Sequence, residues 1–367
     1  MNSNGLNKPK KIIQIICQMP QTGCGVGDYA FNLGKQLFDD FGVESQFIVC
    51  NLEFNQTNIS NEFLFTNLVE KSAKELSAVL AVQMQEGAVV LLHYVGYGYA
   101  KRGCPVWLVK GMQCWRRKFP NIRLGIVFHE IYAKGYFWRS SFWLSPLAKQ
   151  IAAQLFTMSD FCFTSTQVYA DILRKLNSRK QNNICVLPVF SNVGESISSS
   201  LLSDRKSHLI VFGKSSSRAL IYNRYLDVLK VSCRQLKIEE IHDIGEPIKN
   251  SLSKIDRIKV IKHGLLMPKD VGELLSEALA GVIFLPSRFI LDKSGVFASY
   301  CAHRMLPVAL TFDKSSKNKF VYDKYCWVPE KNGLFLLKDG QLLADGAYSW
   351  YQKHSLAEQA KIFVKFF

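Results

Sequence analysis

The sequence predicts an α/β protein of two domains, each built around a parallel sheet. A chain of 367 residues exceeds one ordinary domain, and at roughly 150 residues per domain it accommodates two. Apolar runs of strand length alternate with stretches of helical period, which is the pattern of parallel sheets covered by helices. The runs fall into two series separated by a serine-rich segment, so we expect two such units in succession.

Each series contains five strand-length runs. After the first series come Val186–Glu195 and then Ser196–Ser207, which is rich in serine and poor in aromatic residues, and we expect the linker there. We therefore predict an N-terminal domain at residues 1–190, a second domain at 191–345 and an amphipathic helix at 346–367 that crosses back. The predicted strands are Ile12–Cys17, Ser45–Cys50, Ala88–His93, Leu124–Phe128 and Phe161–Ser165, then Leu209–Phe212, Glu240–Ile244, Ile258–Ile261, Gly281–Leu285 and Leu306–Leu310.

The net charge of +16 at pH 7 indicates an anionic partner. Nucleic acid, an anionic membrane surface and an anionic small molecule all fit this charge. The lysines and arginines are dispersed and no familiar nucleic-acid-binding motif is present, so we predict no nucleic-acid partner. No apolar run approaches the ~18 to 20 residues that span a bilayer, so we expect at most peripheral membrane contact.

The ten cysteines are spread along the chain without a CxxC pair or a cysteine–histidine cluster at zinc spacing. We therefore predict reduced thiols and no metal site. The segment Met1–Lys11 is polar and basic and lacks the apolar core of a secretory signal. These features together predict a cytoplasmic protein, peripheral to the inner membrane face at most.

A glycine-rich turn, Gly23–Asp28, lies between the first predicted strand and a predicted helix. The backbone at Gly25 and Val26 can approach a phosphate there, because the N–H groups at the start of a helix point towards such a ligand. The turn lacks the G-x-G-x-x-G spacing of dinucleotide sites. The alternative is a tight turn of an ordinary βα unit.

A second candidate phosphate site follows the first strand of the second domain. Phe212–Ser216 ends like a P-loop, but His208 occupies the place of the motif's first glycine. Lys214 and Arg218 remain as two cations beside a βα turn. Such cations can hold a diphosphate leaving group, arginine through a planar fork and lysine as a point charge. The alternative is a solvated loop, because exposed lysine and arginine are common.

The segment Leu285–Val308 reads as a strand end, a loop with one carboxylate, a helix opened by glycine and a strand led by proline. It resembles the donor-site segment of the GT4-like glycosyltransferases, which have the GT-B architecture: Pro-Ser after a strand, Glu-Gly-Phe-Gly, a helix with a second Glu, then Gly-Leu-Pro-Val. In this alignment Asp292 stands at the first glutamate, Gly295 at the second glycine and Tyr300 at the second glutamate. The E-x7-E pattern of the family is therefore degenerate.

The resemblance implies a role for each of these positions. Asp292 would contact hydroxyls of the donor sugar, and Tyr300 would offer the ribose a hydroxyl in place of a carboxylate. Lys293, Ser294 and Gly295 would bind the donor beside them.

Other segments resemble the same family. Gly23–Asp28 is similar to its N-terminal glycine loop, Pro188–Val193 to its interdomain Pro-x-x-Ser-Asn-Val, and His263–Gly264 to the loop beside the nucleotide base. Lys214 and Arg218 fall where its diphosphate-binding cations are expected. The resemblance implies a GT-B fold with a nucleotide-diphosphate sugar in the cleft between two domains. It also favours a retaining transfer without metal or cofactor, while an inverting route with His129 or Asp28 as base stays open. The resemblance is silent on the acceptor, for which we expect a carbohydrate or a lipid-linked molecule.

His129 follows the predicted strand Leu124–Phe128, at the sheet edge where ligands gather in α/β proteins. In the family a histidine after such a strand faces the donor sugar and acceptor, so His129 is the first candidate for a catalytic contact. Glu130 and Asp28 are the carboxylates available for acid–base chemistry. His93 ends a similar strand and is a weaker candidate. A lone histidine is otherwise more often structural.

Two other functions stay open beside glycosyl transfer. Because Tyr300 replaces an acid, a non-catalytic binding or scaffold protein of the same fold is one alternative. The charge also allows a nucleic-acid or membrane-surface binder, which would need a continuous basic face. The aromatic-rich segment Tyr94–Trp143 is either an acceptor- or membrane-facing surface or ordinary packing.

Overall fold

The computed structural model divides the chain into two compact units. Unit 1 contains Met1–Pro188 and Leu356–Phe367, and unit 2 contains Val189–Ser355. Gly23 of the predicted glycine turn and residues 133–142 of the aromatic-rich segment lie outside the described residues. The structure describes residues 11–20, 24–51, 63–83, 87–132, 143–177, 183–196, 200–249, 252–284, 291–310, 324–329 and 334–367.

Unit 1 is built on a seven-stranded sheet with the order β3-β2-β1-β4-β5-β6-β7, in which all neighbouring strands are parallel. Its strands are β1 (Lys11–Ile16), β2 (Glu44–Val49), β3 (Leu64–Asn67), β4 (Val89–Tyr94), β5 (Arg123–Phe128), β6 (Phe161–Thr164) and β7 (Asn183–Val186). Its helices are α1 (Gly25–Phe41), α2 (Ala73–Gln83), α3 (Gly96–Tyr99), α4 (Val106–Lys118), α5 (Ser145–Met158) and α6 (Gln167–Leu176).

Both faces of the unit 1 sheet are buried, which is why its strands read as continuous apolar runs rather than as alternating patterns. Ile13 and Ile15 of β1 belong to a core that also contains Leu76 of α2 and Trp115 of α4. Ile16 belongs to a second core with residues of α1 and β2. Successive residues of one strand therefore enter different cores, as the alternation of side chains along a strand requires.

The last helix, α12 (Leu356–Val364), belongs to unit 1 and packs against α1. The ring of Phe363 stacks on that of Phe163 in β6, with 3.8 Å between the ring centroids. The side chain of Gln359 donates a hydrogen bond to the backbone oxygen of Pro188 at 2.6 Å. The end of the chain is therefore fixed to unit 1 by aromatic packing and by hydrogen bonds.

Unit 2 is built on a six-stranded sheet with the order β10-β11-β9-β8-β12-β13, parallel except for the antiparallel pair β10 and β11. Its strands are β8 (Lys206–Phe212), β9 (Glu240–Ile244), β10 (Lys254–Ile255), β11 (Ile258–Gly264), β12 (Ala278–Phe284) and β13 (Leu306–Leu310). Its helices are α7 (Ser215–Arg224), α8 (Leu226–Gln235), α9 (Pro268–Glu277), α10 (Gly295–Ala302) and α11 (Leu337–Gln352).

The predicted α/β fold of two parallel-sheet domains is confirmed, and every predicted strand corresponds to a strand of the structure. Three further strands, β3, β7 and β10, were not predicted. They are two to four residues long, and β3 is at most partly buried, so none produces a long apolar run. The stretch predicted as one crossing helix contains the end of α11 in unit 2 and the whole of α12 in unit 1.

Within the described ranges, the helices are too short or too polar for any of them to traverse a bilayer.

Candidate functional site

Each sheet has a point where the strand order reverses direction. In unit 1 this point lies between β1 and β4, and in unit 2 it lies between β8 and β12. Ligands of open α/β sheets bind beyond the carboxyl ends of the strands at such a point, where the following loops leave a crevice. We therefore describe this edge in each unit.

Three glycines end neighbouring strands at the carboxyl edge of the unit 2 sheet, and we call them the glycine edge. Gly213 follows β8, Gly245 follows β9 and Gly264 ends β11, with φ angles of +121°, +137° and +71°. These positive φ values suit glycine and strain other residues. The ends of three neighbouring strands therefore each carry a residue without a side chain.

The glycine edge packs directly against the loops and helix beside it. A Cβ at Gly245 would lie 2.5 Å from the backbone oxygen of Gly213, and a Cβ at Gly213 would lie 3.0 Å from Val296 in the first turn of α10. A Cβ at Gly295, the first residue of α10, would meet no described heavy atom within 4 Å. The end of β8 therefore lies beside the start of α10, and no heavy atom of the described residues crowds the first residue of that helix.

Two helices begin at this edge. Ser294 caps α10, its side-chain oxygen accepting a hydrogen bond of 3.1 Å from the backbone N–H of Phe297. Lys214 occupies the cap position of α7, and its side chain is exposed. The first N–H groups of a helix lack partners within it, so two helix starts and one ammonium group form a site suited to an anion.

Arg218 lies beneath the glycine edge and is fully buried. Its guanidinium pairs with Asp243, donates to the backbone oxygen of Gly213 at 2.9 Å and donates to the backbone oxygen of Glu246. All three nitrogens of this side chain thus bind protein groups. Arg218 therefore stabilises the loops after β8 and β9. Lys214, by contrast, is exposed to solvent.

Asp292 and Lys293 lie on a 3-10 turn, Leu291–Lys293, just before α10, and both are partly exposed. Burial raises the pKa of the Asp292 carboxyl above its usual value. Tyr300, by contrast, is fully buried, and its hydroxyl donates to the backbone oxygen of Val282 at 3.2 Å. The predicted ribose contact would therefore have to reach a fully buried hydroxyl.

His263 lies next to Gly264 at the carboxyl end of β11, within a bulge of the pairing between β11 and β9. Its Nε2 atom is 2.9 Å from Nδ1 of His242, and the two rings stack. Burial lowers the pKa of His263. The partly exposed His263 is therefore at the predicted end of the sheet, with one ring nitrogen bound to a neighbouring histidine.

In unit 1 the glycine turn packs onto the end of β1. Cys24 occupies the cap position of α1, and Gly25 and Val26 begin the helix. A Cβ at Gly27 would lie 2.7 Å from the backbone oxygen of Gln18, and a Cβ at Gly98 would lie 2.7 Å from the sulfur of Cys17. These glycines allow close backbone approach. Gly25 itself is exposed, and its predicted donor contact stays a prediction, as does that of Val26.

A histidine pair joins β4 and β5 at the same edge. Nδ1 of His93 is 3.2 Å from Nε2 of His129, and Nε2 of His93 is 2.8 Å from the side-chain oxygen of Gln14. The amide nitrogen of Gln14 donates to Ser45, which orients its oxygen towards His93. His93 is fully buried, and this burial, with the charge of His129, holds the pKa of His93 well below its usual value.

These contacts determine the tautomers of both histidines. Because the oxygen of Gln14 only accepts, neutral His93 carries its proton on Nε2 and presents Nδ1 as an acceptor. His129 then donates from Nε2. The ring of Tyr29 lies edge-on to His129, with centroids 5.0 Å apart, and its hydroxyl donates to Gln359 of α12 at 2.9 Å.

Two cysteines at the start of α1 complete the unit 1 edge. The sulfurs of Cys17 and Cys24 are 3.9 Å apart. The hydrogen bond from Cys17, with backbone N–H groups of Gly27 and Val26, lowers the pKa of Cys24 to about 6, whereas the pKa of Cys17 is raised. A thiolate is thus favoured at the start of a helix, as is usual for reactive cysteines.

The structure brings together some of the predicted residues and separates others. Lys214, Ser294 and Gly295 share the switch-point edge of unit 2, while Tyr300 and Arg218 are buried. His129 shares the corresponding edge of unit 1 with His93. Several further residues of these edges were not predicted as site residues. For Gly213 and Gly245 a signal was available, because each is a glycine directly after a predicted strand. These further residues are Gly213, Gly245, Gln14, Tyr29 and Cys24.

Comparison with known proteins identifies the fold. No protein-family model matches the sequence, and no curated protein matches it significantly. An α-glucosyltransferase solved with UDP-glucose and DNA has 10% sequence identity and a TM-score of 0.58, covering 97% of this chain and 99% of its own. A UDP-forming α,α-trehalose-phosphate synthase from Burkholderia xenovorans has 9% identity and a TM-score of 0.60, covering 97% and 98%. The GtfA/B complex has 11% identity and a TM-score of 0.60, again covering 97% and 98%.

The prediction of partners needs correction. It excluded nucleic acid because no familiar binding motif is present, yet two of the similar structures are α-glucosyltransferases in complex with DNA. Proteins of this fold therefore occur in complex with DNA, and the exclusion was wrong. DNA is the partner of those glucosyltransferases.

The similar structures span nearly the whole chain, and their two-domain α/β architecture agrees with the two parallel sheets described above. This chain has the GT-B fold of glycosyltransferases.

Proposed function

We propose that this protein is a glycosyltransferase that uses a nucleotide-diphosphate sugar as donor. The observation that carries the proposal is the switch-point edge of unit 2, where the glycine edge, Lys214 and the start of α10 converge. Two proteins of similar fold were solved with UDP-glucose and UDP-2-fluoro glucose, which are donors of this class.

The proposed chemistry follows from the charges at this edge. When the bond between sugar and diphosphate breaks, negative charge grows on the leaving diphosphate. The ammonium of Lys214 and the N–H groups at the starts of α7 and α10 stabilise that charge without rearranging. In this proposal Arg218 acts indirectly by positioning Gly213, and the transfer itself uses no metal and no cofactor besides the sugar nucleotide.

We assign the remaining predicted residues to the sugar and the base. Asp292 binds hydroxyls of the donor sugar, with Lys293 beside it, and His263 and Gly264 lie beside the nucleotide base. We propose that transfer retains the anomeric configuration, with the leaving phosphate accepting the proton of the acceptor. In unit 1, His129 contacts the reacting sugar and acceptor, and the buried His93 supports it.

A calorimetric titration with UDP-glucose, UDP and other nucleotide sugars tests the donor site. We expect one donor to bind the purified protein, and Lys214→Ala to weaken its binding roughly tenfold or more, because a charge-assisted contact is lost. Lys206→Ala is the matched control, since Lys206 begins β8 and Lys214 follows its other end. Equal donor affinity of Lys214→Ala and wild type would contradict this site.

The buried Tyr300 favours one alternative, a binding protein of the same fold without activity, because its hydroxyl already binds Val282. Measurement of donor hydrolysis or transfer by the same preparation separates the two functions. Sugar release that depends on His129 supports the enzyme. Tight donor binding without any sugar release supports the binding protein.

A further inference from the structure

Two histidines and a glutamate lie together on one face of the unit 2 sheet, and we call them the His–Glu cluster: His208, Glu240 and His242. The parallel register of β8 and β9 places His208 beside Glu240. Glu240 and His242 are two residues apart on β9 and therefore share a face of the strand. Residues separated by more than 30 positions in sequence thus come together through strand pairing alone.

The distances within the His–Glu cluster suit a small metal ion. The Nε2 atoms of His208 and His242 each lie 3.5 Å from Oε2 of Glu240. All three ligand atoms lie within 4.8 Å of one another, and the two imidazole rings stack with centroids 4.6 Å apart. Ligands bound at about 2.0–2.1 Å to a tetrahedral zinc ion lie roughly 3.4 Å apart, so small side-chain rotations complete the site.

His242 supplies an independent observation. It is 6% exposed, and its Nε2 atom is buried without a hydrogen-bond partner in the described structure. A buried polar atom without a partner destabilises a fold unless a ligand satisfies it. This nitrogen lies 3.5 Å from Oε2 of Glu240. That distance is close to the roughly 3.4 Å expected between two ligands of one tetrahedral zinc ion.

The other ring nitrogen of His242 is held as metal-binding histidines are held. Nδ1 of His242 is 2.9 Å from Nε2 of His263. In the tautomer that carries its proton on Nδ1, His242 donates to His263 and keeps the lone pair of Nε2 for a metal.

We propose that His208, Glu240 and His242 form a binding site for a divalent transition-metal ion, with Zn²⁺ as the ion that best fits two imidazoles and one carboxylate. A fourth position remains for water, because His208 and Glu240 are partly exposed. His263 is the positioning residue that orients His242. His208 is five residues before Gly213, or roughly 17 Å along the strand, so it lies far from the proposed diphosphate contact at Lys214. His263 is the residue that links the His–Glu cluster to the proposed contact with the nucleotide base.

No metal site was predicted, because the sequence has no CxxC pair and no cysteine–histidine cluster at zinc spacing. Here the ligands come from two strands that are joined by two helices, and only their register unites them. Bound metal would link β8 to β9 and stabilise the native state of unit 2, since the unfolded chain lacks the site.

Titration with Co²⁺ tests the proposal, because its visible absorption reports ligand type and geometry. The chelator-treated full-length protein is titrated with Co²⁺ and then with Zn²⁺, and thermal unfolding is followed in parallel. We expect one Co²⁺ per chain in a tetrahedral nitrogen–oxygen environment, its displacement by Zn²⁺, and a higher unfolding temperature with either ion.

Substitutions show whether the site is the His–Glu cluster. His263→Ala removes a partner of a ligand and should weaken Co²⁺ binding roughly 10- to 100-fold. Glu240→Gln keeps the shape of the side chain but removes a ligand, so it should weaken Co²⁺ binding by more than His263→Ala does. Glu239→Gln, at the adjacent exposed carboxylate, is the matched control and should bind like wild type. Thermal unfolding without metal confirms that each variant is folded.

Three results would overturn the proposal. The first is an absorption spectrum that does not change with Co²⁺. The second is a thiolate-to-cobalt charge-transfer band, which would place the ion on cysteines. The third is unchanged affinity in the folded Glu240→Gln variant. None of these measurements depends on glycosyltransferase activity.

Discussion

The Nε atom of Arg218 donates a hydrogen bond of 2.9 Å to the backbone oxygen of Gly213. The same guanidinium pairs with Asp243 and donates to the backbone oxygen of Glu246, so one buried side chain holds the loops after β8 and β9. Those loops carry Gly213 and Gly245 of the glycine edge. The shape of the proposed donor site therefore depends on a cation that the ligand does not need to touch.

Arg218→Ala is expected to lower the free energy of unfolding by about 3–5 kcal/mol, because it leaves the carboxylate of Asp243 buried without its cation. Urea unfolding of the purified variant measures this change. Lys214→Ala removes an exposed cation next to the same glycine and should change the free energy by no more than about 0.5 kcal/mol. An Arg218→Ala variant that unfolds at the same urea concentration as wild type would refute the structural role.

The same pair allows a second comparison within this prediction. Arg218→Met combined with Asp243→Leu removes both charges and fills similar volume, so it should recover much of the stability that Arg218→Ala loses. If the double variant is as unstable as the single one, the hydrogen bonds to backbone oxygens matter more than the ion pair.

His129→Ala should lower the rate of sugar transfer about a hundredfold or more and leave donor affinity within about twofold of wild type. The reason is that the proposed function gives His129 a contact in the transition state, whereas it assigns the diphosphate to Lys214 and the helix starts of unit 2. Single-turnover kinetics and calorimetry with the same donor measure the two effects. A normal turnover rate would show that the position of His129 at a strand end is structural.

Glu130→Gln provides the comparison for His129. Glu130 is the next residue and is exposed, so its substitution tests the second candidate for acid–base chemistry. We expect a smaller loss of rate than for His129→Ala, because Glu130 lacks the support that His93 gives to His129. The opposite ranking would make Glu130 the acid–base residue.

Cys24 should react with iodoacetamide as a thiolate at neutral pH. Because its pKa is lowered to about 6, the alkylation rate should rise between pH 5 and pH 7 and level off above pH 7, whereas an ordinary cysteine continues to accelerate towards about pH 8.5 and beyond. Mass spectrometry of the modified peptides measures the rate at each pH. A Cys24 rate that rises without levelling to pH 9 would contradict the lowered pKa.

Cys24→Ser is the control for that experiment and should remove the fast phase while leaving every cysteine other than its neighbour Cys17 unaffected. Addition of a nucleotide sugar tests the predicted role of Gly25 and Val26, which follow Cys24 directly. Slower alkylation with the donor present is expected if this turn contacts it. An unchanged rate under saturating donor would argue against a donor contact at the start of α1.

The stability of the protein should fall as the pH drops from about 6.5 towards 4. Burial lowers the pKa of His354 to about 4, whereas in the unfolded chain it is about 6.5. Because the pKa of His354 is lower in the folded protein than in the unfolded chain, its neutral form contributes to stability. This contribution is fully present above the pKa of the unfolded chain and is lost as the pH falls towards the pKa of the folded protein. The loss approaches about 1.4 kcal/mol per pH unit for each such group.

Urea unfolding at a series of pH values, with His354→Gln as the comparison, measures this contribution. The variant should show a shallower dependence between pH 6.5 and 4 than wild type. Its dependence should not vanish, because the pKa of His242 is lowered in the same way. Parallel curves for the two proteins would mean that His354 does not contribute.

Much of the fold was predictable because it depends on local patterns. Strands such as β4 and β12 are buried on both sides, so they appear in the sequence as apolar runs of strand length, and the turns at Gly25 and Gly295 appear as glycines after strands. The short strands β3 and β10 escaped prediction, since two to four residues with partial exposure produce no recognisable run.

The sequence by itself determined that this protein is α/β, has two parallel-sheet domains and carries glycine turns between strands and helices. Tertiary structure alone decided that Arg218 is buried and Lys214 exposed, that His93 lies beside His129, 36 residues away, and that Arg218 reaches Asp243, 25 residues away. Secondary structure depends on residues a few positions apart, which sequence patterns record. Register and burial depend on which distant strands pair, and that is determined by the packing of the whole unit.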